Sequence, residues 1–131
     1  MIADSTVFLR VVLENPLLGE RYPREGDVLA VLDTGYEGFL AVPREVFDYL
    51  KLGELITERG ELVLPNKQVV TTCAAYAAAR VVDAGVLVEG LVETFEGLDG
   101  IVAGQELLSS LRLVIDYCRG YVDVAACGYP P

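Results

Sequence analysis

Three observations in the sequence predict an all-β domain with one or two short helices. β-branched and aromatic residues recur in short runs, Gly, Pro and Asp stand between these runs, and only two segments have helical spacing. Many short strands with glycine-marked corners are typical of a small barrel or sandwich. No linker or change in composition divides residues 1–131, whose length suits a single domain.

The first half of the chain predicts three strands. Residues 5–14, STVFLRVVLE, are rich in β-branched residues, and the Pro- and Gly-containing segment 15–27 predicts an irregular loop. Residues 28–32, VLAVL, form a continuous apolar run, which predicts a strand buried on both faces. Residues 39–42, FLAV, predict another short strand.

A short helix is predicted after the third strand. Pro43 favours a helix start, because its missing N–H costs nothing at the first helical position. Val46, Phe47 and Leu50 then share one face, and Gly53 stands where a helix-ending glycine is expected.

The second half begins with a predicted hairpin over residues 61–72, ELVLPNKQVVTT, turning at residues 65–68. The alanines of residues 73–80, CAAYAAAR, favour a helix, but the flanking valines and threonines favour a strand. Residues 83–85 predict a turn and residues 86–95 a strand.

The remaining elements are short. Residues 97–104, GLDGIVAG, predict a buried strand between glycines, and residues 105–111, QELLSSL, a short helix. Residues 112–117 and 121–126 predict two strands separated by Cys118-Arg119-Gly120.

The acidity and the missing histidines restrict the function. A net charge of −10 argues against nucleic acid and an anionic membrane surface as partners. We read no signal peptide and no membrane span, so we expect a soluble, cytoplasmic protein. With no histidine, Ser-His-Asp and Cys-His catalysis are excluded. No phosphate-binding glycine loop occurs, so carboxylates are the natural catalysts and no cofactor is expected.

Cys73, Cys118 and Cys127 show no metal-binding spacing. A structural zinc site needs about four Cys or His ligands, so no metal is expected. Without a secretion signal, we expect buried free thiols.

Asp33 is the candidate for carboxylate chemistry. It follows the apolar run of residues 28–32 and stands in the segment AVLDTGYEGFLAVP, residues 30–43. Thr34 supplies a hydroxyl, and Gly35 permits a close backbone approach. Asp and Gly are also common turn residues, so the tripeptide has an ordinary structural reading as well.

The segment VLDTGYEGFLAVP resembles the active-site segment of retropepsin-like aspartic proteases, most closely the small prokaryotic members with a single Asp-Thr-Gly. LPNKQVV is similar to the flap hairpin of that family, and GIVAGQELL to its second signature. The resemblance covers residues 28–124 and implies a small closed retropepsin-like barrel. It settles the ambiguous alanine-rich stretch in favour of a strand.

The resemblance also implies roles for residues. Asp33 is the catalytic acid, Thr34 a hydrogen-bonded brace, and Gly35 the close backbone approach beside it. The flap and substrate-binding candidates are Pro65, Asn66, Lys67 and Gln68, and the second signature is Ile101, Val102, Ala103 and Gly104.

One Asp-Thr-Gly in 131 residues implies a homodimer, in which two Asp33 carboxylates hydrolyse a peptide or unfolded protein. Asp99 and Asp116 are alternative partners for Asp33 within one chain, but a turn and a structural strand position suit them better. The tail ACGYPP has no assignment; the terminal strand of a dimer sheet could lie there or in residues 121–126.

Two other functions stay open. Tyr36 stands where many active relatives carry Ser or Ala, and the flap is short, so a non-catalytic dimeric peptide-binding module of the same fold is one alternative. The other is an unrelated small β protein in which the tripeptide is accidental.

Overall fold

The computed structural model describes residues 1–128, which are mostly β-strand with two short helices, as predicted. The strands are β1 (Ile2–Ala3), β2 (Thr6–Asn15), β3 (Glu20–Tyr22), β4 (Val28–Leu32), β5 (Leu40–Ala41), β6 (Glu58–Val63), β7 (Val69–Val81), β8 (Val86–Phe95), β9 (Ile101–Ala103), β10 (Leu111–Asp116) and β11 (Tyr121–Ala126). The helices are α1 (Arg44–Tyr49) and α2 (Gln105–Leu108), and a 3-10 turn covers Leu52–Leu55. The last three residues of the tail ACGYPP lie outside the described residues.

Nine strands pair in one sheet, and β10 and β11 form a separate hairpin. The order is β1-β2-β4-β9-β5-β8-β7-β6, with β3 also on β2. The long strand β2 has several partners, because Phe8–Val11 pair with β4 and Val11–Glu14 pair with β7. The pairs β4–β9 and β5–β8 are parallel. Since β4 and β9 run in the same direction, the residues that follow both strands meet at one edge.

The core is formed by one face of the sheet together with α1 and α2. Its largest fully buried side chains are Phe39, Phe47, Leu9, Leu13, Leu40, Leu50, Leu52 and Leu107. Full burial of such a side chain contributes about 1.5–3 kcal/mol. These contacts fix the segment after Asp33, because Phe39 and Leu40 are among the residues buried.

Gly90 makes the burial of Phe39 possible. A Cβ atom on Gly90 would lie 2.5 Å from Cγ of the Phe39 ring, closer than carbon atoms can pack. The ring therefore lies directly on the backbone of β8, which holds the start of β5 against that strand.

Two sequence predictions about local structure are wrong. The run of residues 28–32 is not buried on both faces: Leu29 is 38% exposed and only Ala30 is fully buried, because a single face of β4 meets the core. Helix α1 does not end at Gly53. Its last turn closes at Leu50, and Lys51 takes the left-handed conformation with φ of 58°.

Other elements depended on distant contacts. The sequence predictions omitted β1 and β3; β3 lies in the predicted loop, and its short polar sequence is held by pairing with β2. The alanine-rich stretch lies in the strand β7, as the resemblance implied, because it pairs with β2, β6 and β8. The hairpin over β6 and β7 is confirmed.

The prediction of buried thiols is wrong for two of the three cysteines. Cys118 and Cys127 are exposed and Cys73 is half-buried, and all three are free. Cys118 lies in the exposed turn between β10 and β11, where no core reaches it. None of the helices among residues 1–128 is long and apolar enough to cross a membrane.

Candidate active site

Asp33 lies immediately after β4, and its backbone continues the ladder with β9. Its N–H donates to the carbonyl of Ala103 at 3.0 Å, and the Gly35 N–H donates to Asp33 Oδ1 at 2.8 Å. Asp33, Thr34 and Gly35 are exposed in the single chain. The carboxylate is therefore held in one orientation while it remains open to a ligand or another chain.

The segment that begins with Asp33 is bound to the start of α2. The Gln105 side chain donates from Nε2 to the carbonyl of Thr34 at 2.5 Å, and its backbone N–H donates to the carbonyl of Tyr36 at 2.8 Å. The Gly104 N–H donates to the carbonyl of Phe39 at 3.0 Å. The parallel course of β4 and β9 brings these groups together, so the loop after Asp33 is fixed by backbone as well as side-chain bonds.

Two glycines allow this close approach. A Cβ atom on Gly104 would overlap the carbonyl oxygen of Gly38 and lie 2.5 Å from Cδ2 of Tyr36. A Cβ atom on Gly38 would lie 2.5 Å from Oη of Tyr36. The Glu106 N–H donates to the Gly38 carbonyl at 3.1 Å. The Tyr36 ring thus fills the space that side chains at both glycine positions would need.

Tyr36 donates its phenolic hydrogen to the carboxylate of Glu93 on β8. Burial raises the pKa of Tyr36 well above its ordinary value, and the hydrogen bond to Glu93 and the charge of that carboxylate raise it further. The phenol therefore stays protonated at neutral pH and acts as a permanent donor to Glu93.

A cavity of about 420 Å³ lies between the Asp33 loop and the β6–β7 hairpin. Asp33, Gly35 and Tyr36 line one side, and residues 62–65 of the hairpin line the other. The lining is otherwise apolar, with Ala41, Phe95, Leu98 and Val102. Of the described residues that line it, Asp33 alone is charged, so an occupant would meet one carboxylate in an apolar cleft.

The predicted flap residues lie at the tip of the hairpin. Pro65 lines the cavity that contains Asp33, and Gln68 lines a neighbouring cavity of about 350 Å³. Asn66 and Lys67 form the exposed turn, in which Lys67 has a φ of 67° and Asn66 Oδ1 accepts the Gln68 N–H at 2.9 Å. The structure therefore brings only the Pro65 side of the turn to the carboxylate.

The residues of the second signature form β9 and the turn after it. Val102 lines the cavity, while Ile101 and Ala103 are buried in the core. Gly104 contacts the Asp33 loop directly, as described above. This segment supports the site from behind rather than contributing a reactive group.

The two other candidate acids do not join Asp33. Asp99 is exposed and is not among the residues lining the cavity. Asp116 accepts the N–H of Arg119 at 3.2 Å and forms an ion pair with its guanidinium, which is a structural role at the end of β10. Within residues 1–128 no group of three or more Cys, Asp and Glu side chains could hold a metal ion.

Glu93, Gln105 and Glu106 were not among the site residues predicted from the sequence. Gln105 directly follows the signature IVAG and opens the predicted short helix, and this position is a signal that could have indicated it. Glu93 had no local signal, because its contact with Tyr36 joins residues 57 positions apart in the chain.

The fold and the site define a mostly β domain with a carboxylate fixed at the mouth of an apolar, hairpin-covered cleft. No protein-family model matches the sequence. An "uncharacterized protein" of Archaeoglobus fulgidus is 39% identical over 127 residues, which cover 97% of this chain and 99% of that protein. The chain belongs to the same family as this Archaeoglobus protein.

Proposed function

We propose that this protein is a homodimeric aspartic endopeptidase of the retropepsin-like family. The observation that carries the proposal is the position of Asp33, the one charged residue among the described residues that line an apolar cavity beneath the β6–β7 hairpin. A carboxylate in such a cleft is suited to activate water against a bound peptide.

The strand pairing supports a closed retropepsin-like barrel. From β2 the pairing runs through β4, β9, β5, β8 and β7, and β7 pairs with β2 again. Such a ring has no free edge along these six strands, as expected of a small barrel.

The proposed chemistry needs two carboxylates. Two Asp33 side chains about 3 Å apart cannot both ionise, so they share one proton. The ionised group takes a proton from water, which attacks the peptide carbonyl, and the protonated group polarises that carbonyl. The two titrate as a coupled pair, which predicts a bell-shaped dependence of the cleavage rate on pH.

A second copy of the chain supplies the second carboxylate. The exposure of Asp33 and Thr34 leaves both available to a partner across a two-fold axis. In the proposed dimer the Thr34 hydroxyl braces the two loops, and residues 64–70 cover the substrate and exclude water.

The test compares the wild type with Asp33→Asn, using labelled unfolded casein between pH 3 and pH 8. The variant is expected to lose at least about 10³-fold in rate, because the two carboxylates act as a unit. The control is Asp4→Asn, an equally small change in an exposed turn with φ of 50°, which Asn accepts. Sedimentation equilibrium measures the dimer. Equal cleavage by Asp33→Asn, or cleavage by a monomer, would refute the proposal.

Tyr36 favours a second candidate, a non-catalytic dimeric peptide-binding module of the same fold. Its ring lines the cavity beside Asp33 and is bound to Glu93, so a bulky group stands next to the carboxylate. This candidate predicts a dimer that binds unfolded peptides and cleaves none at any pH. A transition-state mimic of the pepstatin type that binds the wild type tightly and Asp33→Asn weakly would exclude it.

A further inference from the structure

A second cavity, of about 270 Å³, lies next to the first beneath the base of the β6–β7 hairpin. Glu93 lines it and also accepts the hydrogen bond from Tyr36, which lines the first cavity. The two cavities therefore adjoin at the Tyr36–Glu93 contact, and an extended peptide across Asp33 would reach both.

Strand register places two carboxylates on the wall of this second cavity. Ala74 on β7 lies opposite Glu58 on β6 and opposite Glu93 on β8. Directly opposed residues share one face of a sheet, and neighbouring strands are about 4.8 Å apart. Glu58 and Glu93 thus flank the small Ala74 side chain, and Glu61 and Glu106 bring the number of glutamates in the lining to four.

These carboxylates form no ion pair with a basic side chain of residues 1–128. Arg59 also borders the cavity, but it alternates with Glu58 along β6, and its guanidinium donates to Cys73 Sγ at 3.1 Å. Its charge is therefore directed to the opposite face of the hairpin.

Thr72 provides an independent sign of a ligand. It lines the cavity, is only 5% exposed, and its hydroxyl has no hydrogen-bond partner among residues 1–128. Gly60 lies opposite it in the ladder, and a Cβ atom there would be 3.4 Å from Thr72 Oγ1. Because Gly60 has no side chain, the hydroxyl stays uncovered toward the cavity. The hydroxyl is open to the cavity, where a ligand N–H would give it a partner.

We propose that this cavity binds a basic side chain of the peptide substrate, arginine in preference to lysine. The inference rests on the proposed function, because the peptide reaches the cavity from the Asp33 cleft. A guanidinium offers five N–H donors in a planar fork, which suits carboxylates on separate strands and a nearby hydroxyl. The net charge of −10 also favours encounters with basic peptides.

The experiment measures binding in the Asp33→Asn background, where cleavage cannot interfere. The probes are fluorescein-labelled decapeptides of Ala and Val that contain one arginine, placed at a different position in each peptide. A matching set carries neutral citrulline instead of the arginine. Fluorescence anisotropy is expected to show at least about tenfold tighter binding of arginine at one position. Glu58→Gln with Glu106→Gln is expected to remove this preference. The matched control, Glu45→Gln with Glu54→Gln, removes two exposed carboxylates that do not line this cavity and keeps the preference.

Equal binding of the arginine and citrulline peptides at every position would overturn the proposal, as would an equal loss of the preference in the control Glu45→Gln with Glu54→Gln. A wild type that cleaves no peptide, together with an Asp33→Asn variant that prefers arginine, would refute the endopeptidase while supporting the basic-side-chain site. A wild type that cleaves both peptides at the same rate would refute the site alone.

Discussion

Alanine at position 104 is expected to loosen the loop that carries Asp33. The added methyl group would overlap the Gly38 carbonyl oxygen, which is backbone and cannot rotate away, and would press on the Tyr36 ring. Three backbone hydrogen bonds cross this contact: Gly104 to Phe39, Gln105 to Tyr36 and Glu106 to Gly38. Each contributes about 1 kcal/mol net, so separating the two segments should reduce the free energy of unfolding by about 3 kcal/mol.

Urea unfolding followed by circular dichroism measures this loss. All variants are compared at one protein concentration, because dimerisation would add to the apparent stability. Gly100→Ala is the control, since a Cβ atom at Gly100 meets nothing within 4 Å and its φ is not positive. This control should match the wild type or gain about 0.5 kcal/mol from the stiffer unfolded chain. A Gly104→Ala loss below about 0.5 kcal/mol, or equal losses in both variants, would refute the packing argument.

Two further predictions concern a buried amide and a half-buried phenol. Asn15→Ala should lower the free energy of unfolding by about 2–4 kcal/mol, because the fully buried Asn15 donates to the Leu50 carbonyl at 2.8 Å and caps two N–H groups after it. The exposed Asn66→Ala should lose less than about 1 kcal/mol in the same urea assay, and equal losses would contradict the burial argument. The raised pKa of Tyr36 means that only the unfolded chain loses this proton as pH rises through about 10, so stability falls there. Tyr36→Phe should make this loss of stability less steep in thermal melts between pH 9 and pH 11. The difference in slope should be below the single-group limit of about 1.4 kcal/mol per pH unit, because solvent reaches the ring. Equal slopes of stability against pH in the wild type and Tyr36→Phe would contradict the prediction.

Sequence patterns predicted elements whose determinants are local. The turn at residues 65–68 and the strands on either side of it follow from Pro, Asn and β-branched residues, and the structure confirms the hairpin. Where local and tertiary preferences conflict, the sequence is ambiguous, as at residues 73–80. There the intrinsic preference of alanine for helix is overridden by pairing with β2, β6 and β8.

The candidate site was predictable only where its residues follow one another in the chain. Asp33, Thr34 and Gly35 are contiguous, and their position after an apolar strand is visible in the sequence. The partner of Tyr36 on β8 depends on which strands become neighbours, and no local pattern encodes that. The parallel pairing of β5 with β8 brings Glu93 to the site. The acidic cavity that Glu93 lines could therefore be found only from the fold.

Tyr36 shows why a bulky residue beside a candidate catalytic carboxylate should be judged by its surroundings. The ring would collide with a side chain at Gly38 or Gly104, and its hydroxyl is the donor to Glu93. A small residue at this position would leave the Glu93 carboxylate without that donor and join the Asp33 cavity to the acidic one. The tyrosine and the two glycines thus form one packing arrangement that keeps the cavities separate. By this reasoning the size of Tyr36 is matched to Gly38 and Gly104, and its ring is a wall between the Asp33 cavity and the acidic cavity.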